Sequence, residues 1–186
     1  MMRIISGIRR GKKLDTLDGD NTRPTLERIK QAFFNAIQFE ISDRKVLDLF
    51  SGSGQLGLEA LSRGATFCYF NDLSVEACKI IDKNIKACGF TEISQLTCKM
   101  HTECVKMLAR NNIKVSLVFL DPPYNKNLVN EALTVLRDFG VLEKDAVIVC
   151  ETALGDTIDV SGYSVKREYK YSEIKITILN VTEVLK

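Results

Sequence analysis

The 186-residue chain predicts an open α/β fold. Its core would be a mostly parallel sheet with helices on both faces, ending in an antiparallel strand pair and preceded by a β-hairpin arm. Three observations carry this. Apolar strand-like runs alternate with helical periodicity over residues 45–151, the pattern of parallel strands joined by right-handed crossovers. A glycine loop stands between the first of these strands and its helix, where nucleotide-binding sheets turn. The end of the chain, from residue 163 onward, is β-rich without an intervening helix, as an antiparallel pair would be.

Taken in order, residues 3–8 and 12–17 read as a basic hairpin with Gly7 and Gly11 near its turn. Asp18-Gly19-Asp20-Asn21 is a turn cluster. Thr25 is an N-cap residue type for a helix running to Phe39, with Ile29, Phe33, Ala36 and Ile37 on one face. Strands are expected near 45–50, 67–72, 93–98, 115–120 and 145–151. Residues 58–64 are helical in pattern, and Gly64 suits a left-handed C-terminal position. A further helix begins near Ser74. The tail supplies strands over 163–169 and 173–181 around Lys170-Tyr171-Ser172. There is no internal repeat or low-complexity segment.

Composition narrows the class. At 45% hydrophobic, the chain can bury one sizeable core. No apolar run approaches a membrane span and the start lacks a signal peptide's apolar stretch, so a cytoplasmic protein is expected. Six cysteines form no C-x-x-C pair and read as small buried hydrophobes rather than a disulfide frame or zinc site, so no metal is expected. The single histidine, His101, lacks companion ligands and reads as structural or surface. The net charge of +2 is uneven: residues 1–30 hold eight Lys/Arg against four acids. A basic arm on a near-neutral body is an electrostatic footprint for a phosphate backbone, although a solvated surface hairpin would look the same. Arg9, Arg10, Lys12 and Lys13 are the candidate contacts.

Two motifs carry chemistry. The first is the loop Ser51-Gly52-Ser53-Gly54-Gln55-Leu56-Gly57, whose glycines keep the G-x-G-x-x-G spacing between a strand and a helix. Glycine tolerates positive φ and lets a ligand approach the backbone, and the helix start offers free N–H groups. Asp72 lies twenty positions past Gly52 at the end of the second strand, where an acid accepts hydrogen bonds from a ribose; it could instead cap the next helix. Asp48, inside the motif, could receive a ligand ammonium group. The second motif is Asp121-Pro122-Pro123-Tyr124, directly after an apolar strand. An exocyclic amine on a nucleobase needs two acceptors for its two N–H bonds and a flat surface for its ring. Asp121 and the Pro122 carbonyl could supply the acceptors, with Pro122 and Pro123 holding the loop extended and Tyr124 giving the surface. The alternative is a strand-ending turn with an aspartate cap and a half-buried tyrosine.

The run from Asp48 to Ala65 resembles the S-adenosylmethionine loop of class I methyltransferases, and Asp121-Pro-Pro-Tyr124 resembles the catalytic motif of their amino-methylating branch. Arg3-Ile-Ile-Ser-Gly7, Arg10-Gly-Lys-Lys-Leu14 and Thr22-Arg-Pro-Thr-Leu-Glu-Arg28 resemble the 16S ribosomal RNA guanine-N2 methyltransferase family. The resemblance covers nearly the whole chain. It implies a Rossmann-like, seven-stranded sheet over residues 25–186, with residues 1–24 as an RNA-binding arm. It also implies methyl transfer from S-adenosyl-L-methionine to the exocyclic N2 of a specific guanine, within an assembling small ribosomal subunit. On this reading Asp72 holds the ribose, residues 50–54 (among them Phe50, Ser51, Gly52 and Gly54) the methionine part, and Asp48 its ammonium directly or through water. The adenine lies near Leu73 and Met100. Asp121, Pro122 and Tyr124 act on the amine and base, with Pro123 beside them. Arg23 pairs a phosphate or closes over the cofactor carboxylate, which Thr25 also reaches. Many relatives carry an acid near the Lys99-Met100-His101 loop and another two residues after Asp72; here the loop has none and Ser74 takes the second place.

Two other readings stay open. One is an amino-methyltransferase acting on adenine N6 or cytosine N4; protein glutamine methylation goes with asparagine at the first motif position, so Asp121 argues against it. The other is a non-catalytic RNA-binding module that keeps the fold, against which the intact motif pair argues.

Overall fold

The structure, a computed structural model, describes the chain except residues 1, 18–23, 124–126, 172 and 183–186 and the side chains of 24–28. Seven strands form one sheet in the order β3-β2-β1-β4-β5-β7-β6. They are β1 (Lys45–Asp48), β2 (Phe67–Asp72), β3 (Ser94–Cys98), β4 (Val115–Leu120), β5 (Leu142–Ala153), β6 (Tyr163–Lys170) and β7 (Ile174–Val181). β1 pairs in parallel with both β2 and β4, and β5 runs parallel to β4. β7 lies antiparallel between β5 and β6. All six residues of β4 are buried, as expected of a central parallel strand covered on both faces. At the opposite extreme β6 is an edge strand, mostly exposed, and its Lys166, Arg167 and Lys170 discourage pairing with another chain.

Five helices cover the two faces: α1 (Pro24–Ala36), α2 (Gln55–Ser62), α3 (Val75–Cys88), α4 (His101–Arg110) and α5 (Leu128–Asp138). One core unites α1 and α2 with Phe70, Phe119 and Val149; a second unites α4 and α5 with Leu47, Leu120 and Cys150. Every residue of α2 is buried, and the helix lies so close to β2 that a Cβ on Gly57 would sit 2.3 Å from the Phe70 ring. Gly57 is there for this close packing. Among the described residues no helix is long and apolar enough to cross a membrane.

Several boundaries differ from the sequence expectation. α1 begins at Pro24, whose missing N–H is harmless in a first turn, so Thr25 lies inside the helix rather than capping it. It stops at Ala36, and a 3₁₀ turn over Gln38–Glu40 leaves Phe39 93% exposed instead of continuing the buried face. β5 starts at Leu142, earlier than the apolar pattern suggests. Its partner position jumps from Leu142 to Val147 while β4 advances from Val115 to Leu117. That irregularity turns Lys144 and Asp145 to solvent, which hides the strand's first half from an apolar pattern.

The amino-terminal hairpin is short. Arg3 and Lys13 form an antiparallel bridge, and Ile4 and Leu14 donate across it to Lys12 and Met2. Met2, Ile4 and Leu14 are buried in the same core as α1 and α2. Glu59 of α2 accepts the Ile5 and Ser6 amides at 2.7 and 3.0 Å, and Ser62 accepts the Ile8 amide on its carbonyl. A Cβ on Gly7 would fall 1.8 Å from that carbonyl, so the arm needs glycine there to seat on the helix. Five cysteines are buried; Cys98, the last residue of edge strand β3, is exposed instead, and all six are free thiols.

Candidate active site

The chain leaves β1, builds outward through β2 and β3, then returns to β4 on the other side of β1. The crevice at the carboxyl ends of β1 and β4 is therefore the switch point where such sheets bind ligands. A cavity of about 740 Å³ occupies it, walled by the glycine loop, the ends of β2 and β3, and the Asp121-Pro122-Pro123 segment. The two motifs, about seventy residues apart in sequence, thus face one space.

The loop after β1 is held by its own polar groups. Gly52 and Gly54 have φ of 56° and 80°. Ser51 Oγ donates to the Asp48 carbonyl at 2.7 Å and accepts the Asn71 amide at 3.1 Å. Asn71, 1% exposed, donates to the Leu49 and Lys99 carbonyls, tying together the ends of three strands. Asp72 accepts the Gly52 amide at 2.8 Å and the Ser74 amide at 2.9 Å. Asp72 thus supports the turn into α3 without being its N-cap, and it lines the cavity. Ser74 is the N-cap of α3, accepting the Ala77 amide.

Asp48 departs from expectation. Its carboxylate does not line the cavity but lies beneath the loop, 1% exposed, with Oδ2 accepting the Gly57 amide at 2.9 Å. Burial raises its pKa to about 7; the Gly57 hydrogen bond opposes this, the negative charges of Asp121 and Asp72 add to it, and Lys30 reduces it. Its visible task is to fasten the start of α2 to β1.

Phe50, Ser51, Gly52, Leu73, Met100, Pro122 and Pro123 line the cavity as the sequence suggests. Gly54 shapes the turn but is not part of the wall. Leu73 and Met100 are 65% and 49% exposed at its rim, two apolar side chains left for a flat ring to cover. Tyr124 and Arg23 lie outside the described residues, as does the side chain of Thr25. All four arm cations, Arg9, Arg10, Lys12 and Lys13, are exposed, and Arg9 in addition donates from Nε to the Cys88 carbonyl at 2.6 Å with its guanidinium over Phe90.

Several contributors to the wall were not foreseen from the sequence. Lys30 of α1 places its ammonium 3.7 Å from Asp121 and 3.2 Å from Gln55 Oε1. Its helix period could have shown it beside the buried face at Ile29 and Phe33, but nothing in the sequence aims it at Asp121. Glu151 lies at the end of β5. Met2 and Leu17 bring the arm into the wall. His101, expected to be structural or surface, is buried against Phe50 with ring centroids 5.4 Å apart and also faces the cavity. Burial lowers its pKa, while Glu131, 3.6 Å from Nε2, pulls the other way. That separation is too long for a hydrogen bond, and among the described residues the buried Nε2 has no hydrogen-bond partner. Among the described residues, no cluster of His, Cys, Asp and Glu could hold a metal ion.

These groups fit a nucleoside bearing a charged tail. They comprise a carboxylate at the end of β2, two positive-φ glycines after β1, two apolar side chains at the rim and a buried imidazole in the wall. Comparison with known proteins identifies the family and the fold. The sequence profile of the family described as Conserved hypothetical protein 95 matches residues 2–180. The chain is 35% identical to Ribosomal RNA small subunit methyltransferase D of Haemophilus influenzae over 153 residues, 81% of this chain and 78% of that one. It is 32% identical to the Escherichia coli protein of the same name over 171 residues, 90% of this chain and 83% of the other. A solved structure of a candidate methyltransferase from Escherichia coli superposes with a TM-score of 0.85 at 29% identity, covering 97% of each chain.

Proposed function

The chain belongs to the Conserved hypothetical protein 95 family and has the class I methyltransferase fold, and from that premise we propose that it transfers a methyl group from S-adenosyl-L-methionine to the exocyclic N2 amine of a guanine in 16S ribosomal RNA. The observation that carries the proposal is the Asp121-Pro122-Pro123 segment opening onto the glycine-loop cavity at the switch point. The names of the relatives, small-subunit ribosomal RNA methyltransferases, support the substrate class.

When bound, S-adenosyl-L-methionine supplies an electrophilic methyl group and departs as the homocysteine thioether. Asp72 would accept from the ribose, Gly52 and its neighbours would hold the methionine part, and Leu73 and Met100 would cover the adenine. Guanine N2 is a poor nucleophile because its lone pair is delocalised into the ring. Asp121 and the Pro122 carbonyl accept its two protons, favour its pyramidalisation and aim the lone pair along the line of transfer. Orientation of this kind lowers a barrier by several kcal/mol. Asp121 need not act as a base, since the methylated amine is acidic and loses its proton to water afterwards. Lys30 holds the Asp121 carboxylate from the α1 side. Tyr124 stacks on the base, a contact worth roughly 1–3 kcal/mol against the cost of extracting it. Arg10, Lys12 and Lys13 take the RNA backbone, and Arg23 a phosphate or the cofactor carboxylate. The compact arm suggests that the assembling subunit supplies part of the specificity; equal activity on a short free hairpin would contradict this.

Mass spectrometry of nucleosides from small-subunit RNA incubated with the protein and labelled cofactor tests the reading. N2-methylguanosine is expected. N6-methyladenosine or N4-methylcytidine would replace guanine by another amine, and RNA binding without transfer would favour a non-catalytic module.

A further inference from the structure

We propose that Glu151 is the residue that selects guanine, accepting the ring N–H that stands next to the methylated amine. The inference rests on the reading of Asp121 as an acceptor for that amine, and it begins with register. β4 and β5 run parallel with Leu120 opposite Cys150, so Asp121 and Glu151 follow side by side, one strand spacing apart. Side chains alternate along both strands. Phe119 and Val149 enter the core shared with α1, whereas Leu120 and Cys150 enter the opposite one. Asp121 and Glu151 therefore return together to the α1 face, where both line the cofactor cavity.

Glu151 also lines a second cavity of about 310 Å³, which shares Pro122, Pro123 and Leu128 with the first. A base presenting its amine to Asp121 would sit where the two cavities meet, with its next ring atom toward Glu151. Glu151 is 7% exposed, so a hydrogen bond to its carboxylate faces little competition from water. A carboxylate takes several hydrogen bonds at once, so contacts within the protein leave it capable of accepting one from a base.

The chemistry then discriminates. Adenine N6 is flanked by N1 and, across C5, by N7, both acceptors. Cytosine N4 is flanked by the N3 acceptor and a C–H. Guanine N2 alone has a ring N–H beside it, at N1. A carboxylate next to the amine site attracts guanine and repels the lone pair that adenine or cytosine would place there. This gives specificity by mismatch as well as by match.

The test compares wild type with Glu151→Gln on small-subunit RNA whose methylated position carries either guanosine or 2-aminopurine riboside. That position is first located by nuclease mapping of the labelled product. 2-Aminopurine keeps the amine but has a bare acceptor at N1. Wild-type kcat/KM should fall about ten- to a hundredfold on 2-aminopurine, the scale of one charge-assisted hydrogen bond. In Glu151→Gln the guanosine rate should fall while the ratio between the two substrates narrows, because the amide can donate to the bare nitrogen. Equal wild-type rates on the two substrates, or a variant that slows both by one factor, would overturn the assignment. Because 2-aminopurine also lacks the guanine O6, the narrowed ratio in the variant carries the assignment, and Glu151→Ala supplies that ratio if Glu151→Gln folds poorly; equal wild-type rates overturn the assignment without any variant. A labelled product on adenine or cytosine would show at the mapping step and would sink the guanine reading itself.

Discussion

Asp48→Asn should make the protein's stability less sensitive to pH and leave cofactor binding nearly intact. In the folded chain the carboxyl has a pKa of about 7 against an ordinary value of 3.8, because burial opposes its charge. The folded state thus holds the proton more tightly than the unfolded chain. The associated stability is full below about pH 4, is lost as the pH rises through about 7, and does not return above it. By linkage the loss is on the order of 4 kcal/mol for the cofactor-free protein. Asparagine keeps an oxygen for the Gly57 amide, now 2.9 Å from Oδ2, and cannot ionise. Its new N–H₂ group needs a partner under the loop, which costs about 1–3 kcal/mol at every pH. The quantity to read is therefore the pH dependence of the difference between variant and wild type. Urea unfolding at steps from pH 4.5 to 8 should show the variant gaining on wild type by roughly 2–4 kcal/mol across that range. Parallel stability curves would refute the argument that a buried carboxyl is charged at a cost here. Because the carboxylate lies outside the cavity wall, cofactor affinity at pH 8 should stay within about tenfold, under 1.4 kcal/mol. A loss greater than a hundredfold would restore the ammonium contact that the sequence suggested.

Asp72→Ala should weaken S-adenosyl-L-methionine binding by roughly 1–3 kcal/mol, since it removes a ribose acceptor and frees the Gly52 amide it now holds at 2.8 Å; unchanged affinity by calorimetry would take Asp72 out of the ribose site. Replacing Arg10, Lys12 and Lys13 by glutamine should flatten the salt dependence of RNA binding by about 0.7–0.9 in slope per lost phosphate contact. Arg9 is left in place because it fastens the arm to Cys88 and Phe90. An unaltered slope would mean that the RNA docks on another face. Asp121→Ala should bind cofactor and RNA nearly as wild type yet lose methyl transfer in single-turnover assays, with Asp121→Asn keeping partial activity through its remaining oxygen. Full activity in Asp121→Ala would sink the proposed site.

What the sequence made legible, and what it hid, follows from which interactions are local. β4 was readable because it is buried on both faces and is apolar at every position but Ser116, and β1 because Val46 and Leu47 lead straight into Leu49 and Phe50 before the glycine loop. The glycine loop was readable because its spacing encodes a turn, a close approach and a helix start within seven residues. Asp72 could be placed because its distance from Gly52 is set by one helix and one strand. Lys30 and Glu151 were not legible. Each belongs to the site only because α1 crosses the sheet near Asp121, and because β5 is the neighbour of β4 in register. Neither fact has a local signature. The surroundings of Asp48 were not legible for a related reason: alternation along β1 gives its face, but not which groups occupy the space there. Gly57 decides that by bringing its amide down to meet the carboxylate.

The same reasoning alters the meaning of the basic arm. A hairpin tethered by a flexible joint would raise the local concentration of RNA near the site but could not aim it. Here Met2, Ile4 and Leu14 share the core of α1 and α2, and Glu59 grips the Ile5 and Ser6 amides. Met2 and Leu17 also form part of the cavity wall. The exposed cations at 10, 12 and 13 are therefore held at a fixed distance from Asp121. Phosphate contacts carry no sequence information, but they do set register and orientation. If the proposed function holds, a rigid arm would turn that nonspecific attraction into a ruler, so that the nucleotide reaching Asp121 would be chosen by its distance from a bound backbone as well as by its edge. Prying the arm off α2 with Gly7→Ala, whose Cβ would fall 1.8 Å from the Ser62 carbonyl, should preserve affinity for RNA yet scatter methylation over neighbouring positions or slow it, as nuclease mapping of the labelled product would read. Methylation kept at one position and at full rate would mean that the base pocket alone does the choosing.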